Sequence, residues 1–416
     1  MTVIPADAKS WVPVPPDSHF PIQNLPFGLA CRNEDDMECV VVRIGDHVVD
    51  LCALAACGHI PEEDFPILHS LIDLDKQDLR RLRGIVYELL HVENGAVRDD
   101  ADLCKEAILH IDEVDMVVPT EIPQFVDFYA GIHHASNVGR MFRPDMPPLL
   151  PNYRHVPVGY NGRASSVIPS EVPIRRPKGQ TKGADEPLPV FGPTKELDFE
   201  LELGFFIADG NEMGEMIPVD GAEDHILGFV LVNDWSARDV QRWEYQPLGP
   251  FLAKSFATSI SPWIVMMDAL EPFRVAGEPQ EPAPLPHLQG SRPGHFDIKL
   301  EVAIQTPKMT RPQVISRSNA RHLYWSFAQL LAHQTSNGTN IEPGDLYASG
   351  TVSGPDEGTF GSLLELTWKG TRPLTMEETG ETRTFLEDGD TVIMTGYAEG
   401  NGYRIGFGEL RTTVVA

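Results

Sequence analysis

The sequence predicts a mainly β fold with some α, and three observations carry the prediction. Strand candidates recur at Leu197–Ile207, Ile226–Asn233, Phe296–Ile304, Leu363–Thr367 and Thr391–Tyr397. Proline-rich stretches separate them at Pro144–Pro157, Pro173–Pro193 and Pro272–Pro293. Proline blocks ladder pairing, so these stretches read as surface excursions or lids. Strands do not alternate regularly with helices, which argues against a doubly wound parallel sheet or a TIM barrel.

Taken in order, Met1–Asp17 carries four prolines and no apolar core. It reads as a disordered leader rather than a signal peptide. Cys39–Leu51 reads as a hairpin with Gly45-Asp46 at the turn. Asp78–Val92 reads as a helix, because Leu79, Leu82, Val86, Leu89 and Leu90 share one face. Residues 1–118 form one expected unit, and the pattern changes from Asp115 onward, so residues 119–416 form the second. A second helix is expected over Ser318–His333, with Leu323, Phe327, Leu330 and Leu331 at helical spacing. Pro343-Gly344-Asp345 and Asp388-Gly389-Asp390 mark turns near the end of the chain.

At 416 residues the chain is too long for one ordinary domain. It is 42% hydrophobic and 23% charged, which suits a globular protein with a large core. A formal net charge of -28 argues against nucleic acid or an anionic membrane as partner. If the substrate is an anion, something local and positive must receive it. No apolar run is long enough to span a bilayer. The five cysteines all lie in the first quarter, with no C-x-x-C pair. They are expected to be reduced thiols of a cytoplasmic protein.

Several common signatures are missing. There is no phosphate-binding G-x-x-x-x-G-K-[ST] loop and no H-E-x-x-H. Gly350-Thr351-Val352-Ser353-Gly354 misses the serine-hydrolase elbow by one position. The glycines of Gly400–Gly406 lack dinucleotide-binding spacing and read as hairpin turns.

The acidic positions are more informative. On a strand, side chains alternate faces, so Leu197, Phe199, Leu201 and Leu203 take one face. Asp198, Glu200 and Glu202 take the other. Three carboxylates in line need either open water or a cation above them. Asp127 lies in Val126-Asp127-Phe128-Tyr129, before the turn His133-His134-Ala135-Ser136-Asn137. Asp234 ends an apolar strand, and it is read either as a functional carboxylate or as the N-cap of a helix starting near Ser236. Within Trp235–Tyr245, a helix would set Arg238, Gln241 and Tyr245 on one face. That face reads as an anion-binding surface or as an ordinary solvated one. Lys254 alone carries no signal.

Together these segments resemble a known family. Phe20–Pro26, Asp127-Phe128-Tyr129, Pro157–Ser166, Asn233–Asp239, Gly249–Phe256, Ser349–Gly354 and Gly361–Leu366 closely resemble blocks of the fumarylacetoacetase family, in the same order along nearly the whole chain. The resemblance implies a small N-terminal SH3-like barrel, a C-terminal mixed β-roll and a homodimer. It implies a hydrolase that splits 4-fumarylacetoacetate into fumarate and acetoacetate, the last step of tyrosine and phenylalanine catabolism. Carried over residue by residue, it implies metal ligands at Asp127, Glu200, Glu202 and Asp234, and catalytic groups at His134, Arg238, Gln241, Lys254 and Glu365. Substrate contacts are implied at Tyr129, Arg143, Tyr160, Gln241, Tyr245 and Thr351. A second ion site would fall on Asp234, Lys254 and Thr258. Two departures are the segment Ala130-Gly131-Ile132-His133 and the leader.

The chemistry fits these residue types. Hydrolysing a carbon–carbon bond needs a stabilised carbanion, which a 1,3-diketone provides. Hard carboxylate oxygens select Ca²⁺ or Mg²⁺ over zinc. Such an ion, with Arg143, Arg238 and Lys254, would supply local positive charge for a dianionic substrate. A related diketo-acid enzyme of the same superfamily, such as an acylpyruvate hydrolase, is the first alternative. A non-catalytic Ca²⁺-binding module is the second, but it would not need His134, Lys254 and Glu365.

Overall fold

The computed structural model describes residues 3–32, 37–61, 63–65, 68–183 and 185–416. The expected hairpin forms from strands Glu38–Ile44 and His47–Asp50, with Gly45 between them at φ 52° in the left-handed region. Three further strands complete an antiparallel sheet in the order Ile108–His110, His47–Asp50, Glu38–Ile44, Phe27–Arg32, Val114–Met116. The expected helix runs over Lys76–Leu90 and buries Leu79, Leu82, Val86, Leu89 and Leu90. Asp75 caps it, accepting from the Asp78 amide at 2.7 Å.

Two expectations fail in this region. The leader packs over Val3–Asp17, although its first two residues lie outside the described ones. Ile4 and Val12 are only 3% and 2% exposed. Trp11 donates its indole N–H to the Leu89 carbonyl at 2.9 Å, and the Gln23 amide donates to the carbonyls of Pro5, Ala6 and Ala8. The prolines restrict the unfolded chain, so seating this segment on the Lys76–Leu90 helix costs little entropy. Ile4→Ala should therefore lower unfolding free energy by roughly 2–5 kcal/mol. A urea melt with an unchanged midpoint would show that the segment contributes nothing.

The second failure concerns sulfur. Cys39 and Cys52 form a disulfide, their Cα atoms 6.2 Å apart, where reduced thiols were expected. Val41 pairs with Asp50, so the hairpin register brings the two cysteines side by side. The expected turn at Gly45-Asp46 already implies this register.

The central sheet has the path Gly159–Asn161, Phe125–Phe128, Leu346–Ala348, Leu201–Ile207, Ile226–Asp234, Thr258–Ile260, Val167–Pro169. Both of its faces are covered. Leu203, Phe205, Phe229 and Leu231 join the larger core. Phe206, Val230, Val232 and Leu346 pack into the core that contains the N-terminal sheet and helix. A third layer pairs Gln313–Asn319, Lys299–Gln305, Thr391–Gly400, Tyr403–Val415 and Ile174–Arg175. The molecule is thus mainly β, and apart from Lys76–Leu90 its helices are short.

Three local expectations are corrected. Ser318 lies on strand Gln313–Asn319, and the helix begins only at Phe327 and runs to Thr335. Ser326 and Gln329 form a capping box that starts it there. Leu363–Leu366 is a helix rather than a strand, capped by Ser362. The Pro173–Pro193 stretch contains a hairpin, Lys178–Thr181 paired with Val190–Pro193, though position 184 lies outside the described residues.

Candidate active site

The acidic run is not one solvated strand. Leu197–Asp198 and Leu201–Ile207 are separate strands, and Asp198, Glu200 and Glu202 are all buried. Strand register explains how distant acids converge. Asp127 pairs with Ala348, Ala348 with Gly204, and Gly204 with Val230. Directly paired residues point the same way, and every second residue shares a face. Asp127, Glu202 and Asp234 therefore leave the sheet on one side, at one end. Ligand oxygens of Asp127, Glu200, Glu202 and Asp234 all lie within 4.8 Å of one another.

Asp234 is not a helix cap, because the helix Arg238–Glu244 starts from Ala237. Its carboxylate instead accepts from Lys254 Nζ at 2.5 Å and from the Tyr160 hydroxyl at 2.8 Å. Lys254 also donates to Glu200 Oε2 at 2.5 Å. Thr258 pairs with Asp234 in the sheet, with its hydroxyl 3.4 Å from Asp234 Oδ1. Asp198 stands apart from the other acids. It holds Arg238 Nε at 2.8 Å and accepts from the amides of Leu363 and Leu364 at 2.8 and 3.0 Å. Asp198 therefore ties the arginine to the helix that carries Glu365.

The charge balance of this centre is uneven. Five buried carboxylates, Asp127, Asp198, Glu200, Glu202 and Asp234, face two buried cations, Arg238 and Lys254. Burial and the neighbouring acids push Asp127 and Glu202 well above the usual carboxylate range. Burial also raises Glu200, but Lys254, Arg238 and His134 outweigh it and hold that carboxyl low. Burial disfavours the Lys254 ammonium, yet Asp234 and Glu200 more than offset this and keep it charged. Asp127 Oδ1 and Glu202 Oε1 are buried with no hydrogen-bond partner among the described residues. Orphaned buried carboxylate oxygens cost several kcal/mol unless a cation fills the gap. The donor set therefore fits a hard divalent ion.

His134 lies on the helix Ile132–Phe142 and is buried. Its Nδ1 is 2.6 Å from Glu365 Oε2. Glu365 also accepts from Asn137 Nδ2, Ser353 Oγ and Ser362 Oγ, each at 2.9 Å. Burial raises this carboxyl, but His134, Asn137 and Ser353 more than compensate and hold it below the usual range. An ionised carboxylate only accepts, so the imidazole proton sits on Nδ1. Nε2 then presents its lone pair on the other side, 3.9 Å from Glu200 Oε1. The Tyr129 ring meets His134 edge-on at 5.4 Å. His133, one position away, is partly exposed and turns to Glu278 instead.

These groups share one cavity of about 430 Å³. Its wall includes Asp127, Tyr129, His134, Arg143, Tyr160, Glu200, Glu202, Arg238, Gln241, Tyr245, Lys254 and Thr351. Asp234 and Glu365 stand behind it, holding Lys254 and His134. Arg238 donates from Nη1 to Glu200 at 2.7 Å and to Gln241 Oε1 at 3.2 Å. Arg238 Nη2 and Arg143 Nε are buried without a partner among the described residues. Gly350 closes the far wall: its N–H donates to Glu202 Oε2 at 3.0 Å at a φ of 78°. A Cβ there would sit 2.3 Å from the Phe128 carbonyl oxygen, so only glycine fits.

The sequence reading missed the residues that hold Glu365, namely Asn137, Ser353 and Ser362, and it missed the clamp role of Asp198. One signal was available. Ser362-Leu363-Leu364-Glu365 is the S-x-x-E pattern of a helix start.

The family profile described as Fumarylacetoacetate (FAA) hydrolase C-terminal matches residues 124–415, and that described as Fumarylacetoacetase N-terminal matches residues 23–119. The fumarylacetoacetases of Bos taurus and Homo sapiens are each 48% identical over 407 residues, covering 96% of this chain and 97% of the relative. That of Dictyostelium discoideum is 46% identical over 419 residues, covering 98% of both chains. Among solved structures, fumarylacetoacetate hydrolase from the psychrophile Exiguobacterium antarcticum has a TM-score of 0.52 at 18% identity. It covers 94% of this chain and 99% of its own, and it bears on the fold. Matched from end to end by sequence and sharing the layered β architecture, the chain belongs to the fumarylacetoacetase family.

Proposed function

We propose that this chain is a metal-dependent hydrolase that cleaves 4-fumarylacetoacetate to fumarate and acetoacetate, the closing step of tyrosine and phenylalanine catabolism. The observation that carries the reading is the pairing, in one cavity, of a Glu365-held imidazole with a four-carboxylate cluster.

Asp127, Glu200, Glu202 and Asp234 would hold Ca²⁺ or Mg²⁺. When bound, the ion supplies Lewis-acid charge for the carbanion that a 1,3-diketone leaves behind. His134 takes a proton from water at Nε2 while Glu365 keeps the Nδ1 proton and the ring orientation. Arg238 Nη2, the Gln241 amide and the third N–H of Lys254 are the donors for the tetrahedral oxyanion. The proton held on His134 then returns to the departing carbon. Tyr129, Arg143, Tyr160, Gln241, Tyr245 and Thr351 line the substrate cavity, with Arg143 receiving a carboxylate. A second ion at Asp234, Lys254 and Thr258 would need main-chain or hydroxyl oxygen, because the Lys254 ammonium only donates.

The same reading takes residues 1–118 and 119–416 as two units, with a homodimer in the cytoplasm and no nucleic-acid or membrane partner. No helix among the described residues is long and apolar enough to cross a membrane.

The direct test follows loss of the diketone chromophore with fumarylacetoacetate, with and without a chelator. No turnover in the presence of Ca²⁺ or Mg²⁺ would reject the activity. Gln241→Leu removes one oxyanion donor from a half-buried position and should lower kcat about 100-fold, or roughly 3 kcal/mol. An equal rise in KM with kcat unchanged would assign Gln241 to ground-state binding instead.

A further inference from the structure

A second cluster of metal-ligating side chains stands outside the catalytic cavity. His133 Nε2 is 3.3 Å from Glu278 Oε1, and His322 Nδ1 is 3.5 Å from the same oxygen. The two imidazole rings meet edge-on with centroids 5.8 Å apart. The three ligand atoms all lie within 4.8 Å of one another. They come from three segments: the first turn of the helix Ile132–Phe142, the loop after Val275, and the short turn Ala320–His322.

We propose that His133, Glu278 and His322 form a site for a divalent transition-metal ion of the zinc class, separate from the carboxylate centre. Three physical points support it. First, nitrogen and oxygen ligands about 2.0–2.2 Å from a tetrahedral zinc lie about 3.3–3.6 Å apart. The two nitrogen–oxygen separations here are already in that range. Second, two imidazoles with one carboxylate suit Zn²⁺, Co²⁺, Ni²⁺ or Cu²⁺, whereas Ca²⁺ and Mg²⁺ prefer oxygen. The two ion sites therefore differ in ligand chemistry as well as in position.

Third, the ligands are held in place before any ion arrives. Gln280, two residues past Glu278, donates to the Tyr324 carbonyl at 2.7 Å and exchanges hydrogen bonds with Gln329. That tether sets the Glu278 loop against the segment bearing His322. Asn319 fixes the His322 turn by accepting from the Arg321 amide at 3.0 Å. Burial lowers the His322 pKa and outweighs the hydrogen bond to Glu278, which raises it; His133 and Arg321 add smaller downward pulls. A metal takes the lone pair of a neutral imidazole, so binding there is favoured at higher pH. The positive charge of Arg321 works against the ion and limits its affinity. His133 and His322 are partly exposed and Glu278 is exposed, which gives an entry path and room for water as a fourth ligand.

Occupation would staple the Glu278 loop and the His322 turn to the helix that carries His134. The effect is local stabilisation beside the catalytic imidazole, because the ion binds only the folded arrangement.

The test uses the full-length protein in excess Ca²⁺, so that the carboxylate centre is filled, with Zn²⁺ titrated by calorimetry. Wild type should bind one Zn²⁺ ion per chain at this site. His322→Gln and Glu278→Gln should each weaken that binding by about tenfold or more. Co²⁺ in place of Zn²⁺ should give the intense visible absorption of a four-coordinate site in wild type and lose it in both variants. Zn²⁺ should raise the Tm of wild type by a few degrees and leave that of His322→Gln unmoved. Glu278→Gln preserves shape and remains informative if the histidine variant folds poorly. Identical Zn²⁺ isotherms for wild type and both variants, or no Zn²⁺ bound in the presence of Ca²⁺, would overturn the proposal.

Discussion

Replacing His134 with alanine is expected to lower kcat at least 100-fold, within the roughly 10²–10⁴-fold range of general base catalysis. The substitution removes the Nε2 lone pair from the cavity and leaves the four carboxylates in place. Ca²⁺ affinity, measured by calorimetry, should therefore change little while turnover collapses. A variant that kept more than about a tenth of wild-type kcat would remove His134 from the role of base. Glu365→Gln tests the same pair from behind. The amide can donate, so it no longer enforces the Nδ1–H tautomer, and kcat should again fall about 100-fold or more. In buffer free of transition metals, His133→Gln serves as the control, because His133 faces Glu278 rather than the cavity.

Removing the divalent ion should abolish turnover and destabilise the fold, and the destabilisation should grow with pH. In the stripped protein Asp127 and Glu202 titrate well above their ordinary range, because burial and the neighbouring acids, Asp234 and Glu200 foremost for Asp127, penalise ionisation. The unfolded chain releases those protons near pH 4, by ordinary carboxylate values of about 3.9 and 4.3. Between that range and the raised folded values, the native state binds more protons than the unfolded state. Stability of the stripped protein must then fall as pH rises. A bound ion replaces those protons, so its stabilising increment is larger at pH 8 than at pH 5, just above the unfolded values. With free ion at about 100 times Kd the increment is about 2.7 kcal/mol. Scanning calorimetry with and without Ca²⁺ at the two pH values reads it directly. A stripped protein that became more stable with rising pH would contradict the clustering of these acids. Glu202→Gln should weaken Ca²⁺ binding, and unchanged binding would remove Glu202 from the ligand set.

Much of the fold was legible in local pattern. The Gly45-Asp46 turn between Val- and Ile-rich arms is a hairpin signal that needs no partner elsewhere. The Lys76–Leu90 helix shows a single apolar face, and tertiary packing uses that face. Misreadings arose where two local signals compete. Leu323 to Leu331 has helical spacing, but the Ser326–Gln329 capping box starts the helix later, and Ser318 stays in a strand. Leu363–Thr367 looks apolar enough for a strand, while Ser362 and Glu365 mark a helix start. Composition alone made the leader look disordered. Its fate depended on whether a distant helix offered Ile4, Trp11 and Val12 a surface.

Residue types and their order along the chain determined the family, the mainly β character and the identity of the candidate groups. The alternation of acids in Leu197–Leu203 also raised the cation question. Whether those acids meet water or one another was decided only by the sheet. Antiparallel register set Glu202 beside Val232, two residues from Asp234, and a parallel pairing set Asp127 beside Ala348. Layers on both faces then excluded solvent. Pairing between strands distant in sequence leaves no mark on either strand's own residues. For that reason the closeness of these oxygens, the clamp from Asp198 to Arg238 and the meeting of His133 with Glu278 and His322 belong to the tertiary structure alone.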